Sequence, residues 1–270
     1  MHHRSTICCL LFVFTLAPFS IRAEPDATTQ QILSGSQGAV KKAIGQLQAG
    51  EVSEDTVAAM VQRLSTEAQT GLRTALITGL RDHASLPQLI QVMLPLVQGD
   101  SSPTIRRQAT WALVYRDARD AAEPLAKAAR VEPEVDIRKT ILKAVDDLYG
   151  GRAAEVRELL LVDPDPSVRA LCARIMNRNP DPYDPQVRDA LLRALEDSNE
   201  KVAIDAAHAL LTRNVIDAIE ALDQCATVDG KRGTTCADVA AQLRASGNAP
   251  YQPPKSDPVV TITYPDEQPK

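Results

Sequence analysis

Side chains that could carry out catalysis are scarce in this sequence. Beyond residue 23 the chain has only two histidines, and it contains no glycine-rich phosphate loop and no nucleophile motif. Two pairs of adjacent acids, Asp146-Asp147 and Glu196-Asp197, could act as general acids or bases. Both pairs fall near predicted helix ends, where a solvated or capping carboxylate is the ordinary role. The sequence therefore predicts no catalytic residue, no metal site and no cofactor.

The first 23 residues have the three parts of a secretory signal peptide. The basic stretch MHHRST precedes the apolar stretch ICCLLFVFTLAPFS, and the segment ends on the small residue Ala23. The apolar stretch is shorter than the roughly 18 residues that a membrane-spanning helix needs. We therefore expect cleavage after Ala23 and a periplasmic or secreted mature chain that does not insert into the membrane.

Three cysteines remain beyond this segment. Cys225 lies near the end of one predicted helix and Cys236 near the start of the next, with Asp229-Gly230 in the turn between them. Because exported chains meet oxidising conditions, we expect these two cysteines to form a disulfide; two unpaired buried thiols are the alternative. Cys172 falls at an apolar helix position and should be an inert buried thiol.

An apolar residue, usually followed by a basic one, recurs along the chain. The residues four and seven positions after each of these anchor residues are apolar or small, so all three share one face of a helix. A fixed period of this length is typical of a repeat array. The anchors recur every 31–34 residues and are Val40, Leu72, Ile105, Ile137, Val168 and Val202.

An acid stands five residues before every anchor except the first, where Gly35 occupies the position. A carboxylate at the start of a helix is favoured by the exposed amides and the helix dipole. It could also reach the basic residue that follows an anchor, in its own repeat or in an adjacent one. The acids are Glu67, Asp100, Glu132, Asp163 and Asp197.

Each interval between anchor helices has room for one further helix and two short turns. We interpret a repeat as a hairpin of an anchor helix and the helix after it, which must stack on other hairpins to bury its apolar stripe. The expected fold is an all-α, right-handed α-solenoid of about six hairpins over residues 24–246, with a capping helix at 232–246. The predicted second helices are 55–65, 86–97, 121–130, 152–161, 185–195 and 215–226.

An acid, a short turn that often contains proline, Val/Ile-Arg and a helix of small residues together resemble the HEAT repeat, particularly its bacterial HEAT-like form. The stretch DPDPSVRALCARI at 163–175 shows the pattern, and the resemblance covers about residues 29–226. In the last repeat Ala203 replaces the basic residue, as end repeats often depart from the consensus. Tetratricopeptide repeats have a similar period, but their Trp, Gly, Tyr and Pro positions are not met.

Charge and fold together indicate a protein-binding role. The formal net charge is −5, and loss of Arg4 and Arg22 with the signal peptide makes the chain more acidic, so we expect no nucleic-acid partner. We predict a monomeric, non-enzymatic scaffold or adaptor of the cell envelope that binds another protein. One alternative is a chaperone-like or structural envelope component, which would need a long apolar groove. Another is a HEAT-like lyase that attaches tetrapyrroles, a class that works inside the cell.

The outward polar residues of the second helices are the predicted contacts for that partner, because we expect these helices to line a concave face. Their charge changes from mixed to basic to acidic between the fourth and sixth repeats. The only tryptophan is an alternative contact unless it packs on an adjacent hairpin. The predicted contacts are Arg152, Glu155, Glu158, Arg188, Asp189, Arg193, Asp217, Glu220, Asp223 and Trp111.

The last segment, residues 247–270, is rich in proline and is predicted to be a mostly disordered tail. Within it the stretch VVTITY at 259–264 is uncharged and rich in β-branched residues. Such a stretch could add as a strand to the sheet edge of a partner.

Overall fold

The computed structural model of the chain describes residues 25–47, 52–150, 153–179, 181 and 184–247. Within these ranges the chain forms fourteen α-helices and two short 3₁₀ turns, and no β-strand. No helix of the described chain is long and apolar enough to cross a membrane. The predicted signal peptide, the predicted tail after Gly247 and Arg152 lie outside the described residues.

The helices form two layers that alternate along the chain. Every anchor residue lies in an even-numbered helix, and these helices pack on one another in order, forming the anchor layer. The odd-numbered helices form the partner layer, and each packs on the anchor-layer helix that follows it. The anchor layer consists of α2 (Gln37–Gln46), α4 (Thr70–His83), α6 (Pro103–Tyr115), α8 (Val135–Tyr149), α10 (Pro166–Asn177), α12 (Glu200–Thr212) and α14 (Lys231–Ser246). The partner layer consists of α1 (Ala27–Ser34), α3 (Glu54–Thr66), α5 (Leu86–Gly99), α7 (Ala122–Val131), α9 (Ala154–Val162), α11 (Pro185–Ala194) and α13 (Ile219–Ala226).

The hairpins have a different phase from the predicted one. The anchor helix is the second helix of its hairpin, because the acid-containing turn joins it closely to the helix before it. Between α9 and α10, for example, this turn consists of residues 163–165 alone. Helix α1 therefore pairs with α2 and α13 with α14, so the described chain forms seven hairpins, and the predicted capping helix belongs to the last of them. The expected all-α solenoid is confirmed.

The anchors form the core of the stack, as predicted. Each of the six is at most 1% exposed. The small residues after them allow close helix packing. At Gly79 of α4, for example, an added Cβ would lie 2.7 Å from the sulfur of Met60 and 3.0 Å from Ile44. A larger residue would therefore displace the side chains of Met60 in α3 and Ile44 in α2.

The start of α10 shows why the sequence turns into a helix there. The carboxylate of Asp165 accepts the Ser167 N–H at 2.8 Å, and Pro166 occupies the first helical position. An acceptor side chain at the N-cap satisfies an amide that has no partner within the helix, and proline has no such amide to satisfy. The helix therefore begins at Pro166.

Arginines stabilise the edge of the stack where an anchor helix leads into the next hairpin. Arg213, only 1% exposed, donates to the Met176 carbonyl in the last turn of α10 at 3.3 Å and to the Asn179 carbonyl just after this helix at 3.1 Å. Arg116 donates to the Ala84 carbonyl at 3.1 Å in the same way. These contacts satisfy carbonyl groups at or beyond helix ends, which have no partner within a helix.

The C-terminal hairpin is closed by a cysteine pair. The sulfurs of Cys225 in α13 and Cys236 in α14 lie 2.09 Å apart, as expected for a disulfide. Helix α14 begins at Lys231, earlier than predicted, and an added Cβ at Gly233 would lie 1.8 Å from the Val228 carbonyl oxygen. The turn before α14 therefore folds directly over its first residues. The third cysteine, Cys172, is a buried free thiol, and burial raises its pKa.

Replacing Cys225 and Cys236 together with alanine should lower the free energy of unfolding by somewhat under about 3 kcal/mol, because the bond restricts the unfolded chain over a separation of 11 residues. Urea denaturation followed by circular dichroism measures this difference. Reductant should destabilise the native chain and leave the double variant unchanged. Full alkylation of both thiols in unreduced protein folded under oxidising conditions would contradict the bond.

Candidate functional site

A row of arginine–carboxylate pairs runs along the edge that carries the acid-containing turns. Each arginine that follows an anchor reaches the acid of the next repeat. Arg106 donates to both carboxylate oxygens of Glu132, at 2.7 and 2.8 Å, and Arg138 donates to both of Asp163, at 2.7 and 3.1 Å. We call this row the arginine ladder. Its pairs are Arg73–Asp100, Arg106–Glu132, Arg138–Asp163 and Arg169–Asp197.

Each acid of the ladder also fixes its own turn. Asp163 accepts the Asp165 N–H at 2.9 Å, while Arg169 of the same repeat donates to the Asp163 carbonyl at 2.7 Å. One turn is thus held by the arginine of its own repeat and by Arg138 of the preceding repeat. Buried charges persist when they are paired and hydrogen-bonded in this way. The sequence left both pairings open, and the structure shows that the carboxylate pairs with the preceding repeat.

The pKa values of two ladder acids reflect this arrangement. Burial tends to raise the pKa of Asp100, but hydrogen bonds from Arg73 and from the Ser102 N–H outweigh burial, and the pKa falls below its usual value. At Asp197 burial is likewise outweighed by Arg169, and the pKa is again lowered. These carboxylates are committed to ion pairs and are poorly suited to proton transfer.

The pairing changes at both ends of the ladder. Glu67, the residue after α3, pairs with Arg63 of α3 at 3.0 Å. At the other end Ala203 cannot hold the turn of Asp197, and Arg232 of α14 donates to the Asp197 carbonyl at 3.0 Å instead. The missing basic residue of the last repeat is therefore replaced from the closing hairpin.

The two pairs of adjacent acids have different surroundings in the structure. Asp146 is more buried than the solvated carboxylate we expected: its side chain is 12% exposed, and one oxygen accepts from Arg178 at 2.9 Å. Burial raises the pKa of Asp146 to about 6 against the opposing effect of Arg178. Asp197 caps the turn before α12, as expected, by accepting the Asn199 N–H at 2.8 Å, and Glu196 is exposed. No cluster of His, Cys, Asp and Glu within the described ranges could hold a metal ion.

Replacing Asp146 with asparagine should stabilise the protein at neutral pH. Its pKa is raised from 3.8 to about 6 in the folded chain, so the unfolded chain ionises first and native stability falls as pH rises between these values. Above pH 6 the ionised Asp146 therefore lowers the free energy of unfolding by about 3 kcal/mol. Urea denaturation should show this gain at pH 7.5 and almost none near pH 4. The exposed Glu196→Gln variant is the control, and a gain that does not change with pH would contradict the assignment.

The predicted partner contacts form a charged row on the partner layer of the last three hairpins. Glu155 and Arg188 are partly buried, and the other described members are exposed. The row lies on α9, α11, the 3₁₀ turn Ile216–Ala218 and α13. Its described members are Glu155, Glu158, Arg188, Asp189, Arg193, Asp217, Glu220 and Asp223.

The prediction that these residues lie on the second helices of the hairpins is wrong. The charged row lies on the first helices of the hairpins, so the rule that second helices line a concave face does not apply to it. Trp111 lies on α6 in the anchor layer and is partly buried. The row and the tryptophan therefore belong to opposite layers of the solenoid.

Ion pairs weaken the predicted change of sign along the row. Arg188 lies 2.9 Å from Asp189 and 3.7 Å from Asp217, so its charge is shared with the next hairpin. Arg193 is exposed and makes no ion pair with another described residue. The cation of the row that is free to meet a partner is therefore Arg193.

A groove between α3 and α5 was not predicted from the sequence. Its volume is about 1010 Å³, and apolar side chains line most of it. The sequence signal was the composition of α5, LPQLIQVMLPLVQG, which has apolar residues around most of the helix and Pro95 in its interior. A helix that is apolar on so many sides while lying in a surface layer indicates an additional contact face. The lining includes Val57, Ala58, Val61, Gln62, Leu64, Gln88, Gln91, Val92, Pro95 and Leu96.

Two layers of stacked hairpins joined by a ladder of ion pairs define an α-solenoid. Within this class, residues 153–235 match the family of HEAT repeats. No curated protein sequence matches the chain significantly.

Several solved structures resemble the chain at low sequence identity. YibA of Escherichia coli is 14% identical, with 78% of this chain and 86% of that chain covered and a TM-score of 0.49. The HEAT-like repeats protein of the archaeon Thermococcus onnurineus NA1 is 14% identical, with 81% of this chain and 96% of that chain covered and a TM-score of 0.46. A chain from the complex of CpcE and CpcF of phycocyanin lyase from Nostoc sp. PCC7120 is 15% identical. The match covers 85% of this chain and 99% of that chain, with a TM-score of 0.43.

Proposed function

We propose that this chain is an exported, periplasmic scaffold that binds another protein through the charged row and catalyses no reaction. The observation that carries the proposal is the contrast between two sets of charges. The ladder's charges are largely buried in pairs and hold the repeats together, whereas most of the row remains exposed over three successive hairpins. Extended surfaces of this kind are what repeat arrays use for binding.

Two features support export. The first 23 residues have the composition of a signal peptide. The cysteine pair that closes the last hairpin lies at disulfide distance, and such bonds persist in oxidising compartments such as the periplasm.

The test is affinity capture from a periplasmic extract with the mature chain as bait. Arg193→Glu should reduce capture of the retrieved protein about tenfold, because the change removes an attractive charge and adds a repulsive one. The matched control is Arg107→Glu, which makes the same change at an exposed position of α6 in the anchor layer. The double variant of Arg188 and Arg193 to Glu extends the test, although Arg188 is already paired.

Trp111→Ala tests the alternative that the anchor layer binds the partner. If Trp111→Ala or Arg107→Glu abolishes capture while Arg193→Glu leaves it unchanged, the anchor layer is the binding face and the charged row is not. Circular dichroism of each variant shows that the fold is retained. Raising the salt concentration should weaken capture by the native chain, since screened charges attract less.

The apolar groove favours a second candidate, a chaperone-like component that binds unfolded chains. Such a protein needs exposed apolar surface, and the groove between α3 and α5 provides it over two hairpins. Suppression of the aggregation of an unfolded test protein would support this function, and Val92→Asp in the groove wall should then abolish the effect.

A further inference from the structure

The groove between α3 and α5 offers no free charge to an occupant. Glu67 and Arg73 are the charged residues in its lining, and each is in an ion pair, with Arg63 and with Asp100. The rest of the lining is apolar or carries amide and hydroxyl groups. A charged occupant would lose its hydration here without gaining a partner, so the groove selects an uncharged segment.

The groove walls also offer hydrogen bonds to an extended backbone. Pro95 has no N–H, so the Gln91 carbonyl one turn earlier lacks its usual helical donor, and both residues line the groove. The side-chain amides of Gln62 and Gln91 are in the same lining and belong to exposed residues, and Gln88 adds its NH₂ group, since its oxygen already accepts from Ser85. Carbonyl and amide groups set among apolar side chains suit a peptide bound in extended form.

We propose that the occupant is the segment VVTITY, residues 259–264, of a second copy of this chain. The segment lies outside the described residues, carries no charge and is rich in β-branched residues. Six extended residues span about 20 Å, which equals the length of α3 with its 13 residues. This inference is independent of the charged row and goes beyond the proposed function.

Reach disfavours the chain's own segment, because its linker would have to run almost fully extended along the shortest path to the groove. Twelve Cα–Cα steps join Gly247, the end of the described chain, to Val259 of the segment, and they span at most about 40–43 Å when fully extended. The groove lies four to five anchor-layer helices away from α14. At 8–10 Å per helix the straight path is roughly 32–50 Å, and a path around the surface of the protein is longer.

The bound segment joins two copies by a contact between different surfaces, the groove of one copy and the tail of the other. Such heterologous contacts build open chains unless the geometry closes them. The proposal therefore replaces the expectation of a monomer with concentration-dependent self-association of the mature chain.

Sedimentation velocity of the full mature chain over about a hundredfold range of concentration tests the proposal. The native chain should associate. Ala58→Glu, which introduces a charge at an exposed alanine of the groove, and Ile262→Asp, which introduces one in the segment, should each weaken association at least about tenfold. Ala237→Glu makes the same exposed change on α14 and should associate like the native chain.

The decisive sample is a mixture of the two interfering variants. Ala58→Glu retains an intact segment and Ile262→Asp retains an open groove, so the mixture should form one-to-one complexes that neither variant forms alone. A native chain that stays monomeric throughout overturns the proposal, as does association that both variants retain. A monomer that binds added 256–267 peptide only after Ile262→Asp assigns the groove to its own tail. An unfolded protein that binds in place of self-association assigns the groove to client chains.

Discussion

Replacing Arg138 with methionine should lower the free energy of unfolding by about 3–5 kcal/mol, because it leaves a buried carboxylate without its partner. The side chain of Asp163 is 1% exposed and loses donors at 2.7 and 3.1 Å. The Glu132 carbonyl also loses the donor that lies 2.7 Å away. Methionine retains most of the aliphatic stem, so the measured loss reports mainly the charge and its hydrogen bonds.

Two further variants make this measurement specific. Lys127→Met breaks the ion pair between Lys127 and Glu123, whose side chains are 59% and 67% exposed, and should leave the stability almost unchanged because solvent screens the pair. Asp163→Asn can still accept the Asp165 N–H while removing the charge. Combined with Arg138→Met it should cost less than the sum of the single changes, since neither partner is then left charged and alone. Additive losses would show that the ladder pair is not coupled.

The position of this pair in the array gives the prediction a second readout. Arg138 and Asp163 join the fourth and fifth hairpins, near the middle of the stack. In a repeat array each hairpin contacts only its neighbours, so a weakened middle interface lets one half unfold before the other. The urea transition of Arg138→Met should therefore broaden as well as shift.

The period and the anchors could be predicted because they depend on local spacing. An apolar stripe at positions 0, +4 and +7 identifies the buried side of a helix whatever it packs against, and Ile105 and Ile137 lie in the core as expected. The pattern does not say which neighbour the helix packs on. The phase of the hairpins was therefore wrong, although turn length carried the information: the three residues 163–165 join α9 to α10, and such short connections favour antiparallel neighbours.

The pairing within the ladder and the groove depend on how hairpins stack. The chain around Asp163 is compatible with an arginine from either side, and only the offset between successive hairpins selects Arg138. The groove requires α3 and α5 to be spaced apart in the partner layer, which no local pattern encodes. The composition of α5 and Pro95 in its interior were nevertheless visible in the sequence, and they mark the helix as atypical of a solvated layer.

Ile137→Ala should lower the free energy of unfolding by about 2–5 kcal/mol, because Ile137 is 1% exposed and the smaller side chain leaves a cavity in the anchor layer. The matched control lies six residues earlier in the chain. Val131 is 75% exposed at the end of α7, so Val131→Ala should change the stability by less than about 0.5 kcal/mol. Equal effects at the two positions would contradict the assignment of Ile137 as a core anchor.

Replacing two equally buried valine anchors separates the effect of burial from the effect of position in the array. Val40 and Val168 are both 0% exposed, and replacing either with alanine removes the same groups, worth about 1.6 kcal/mol by transfer alone. Helix α10 packs between α8 and α12, whereas α2 packs within the anchor layer on α4 alone. Unfolding of the first hairpin leaves the other interfaces intact, so Val40→Ala should mainly increase hydrogen exchange in α1 and α2. Val168→Ala should instead lower the midpoint of the main urea transition. If Val40→Ala shifts that midpoint as much as Val168→Ala does, the chain unfolds as one cooperative unit and not as a stack of neighbouring hairpins.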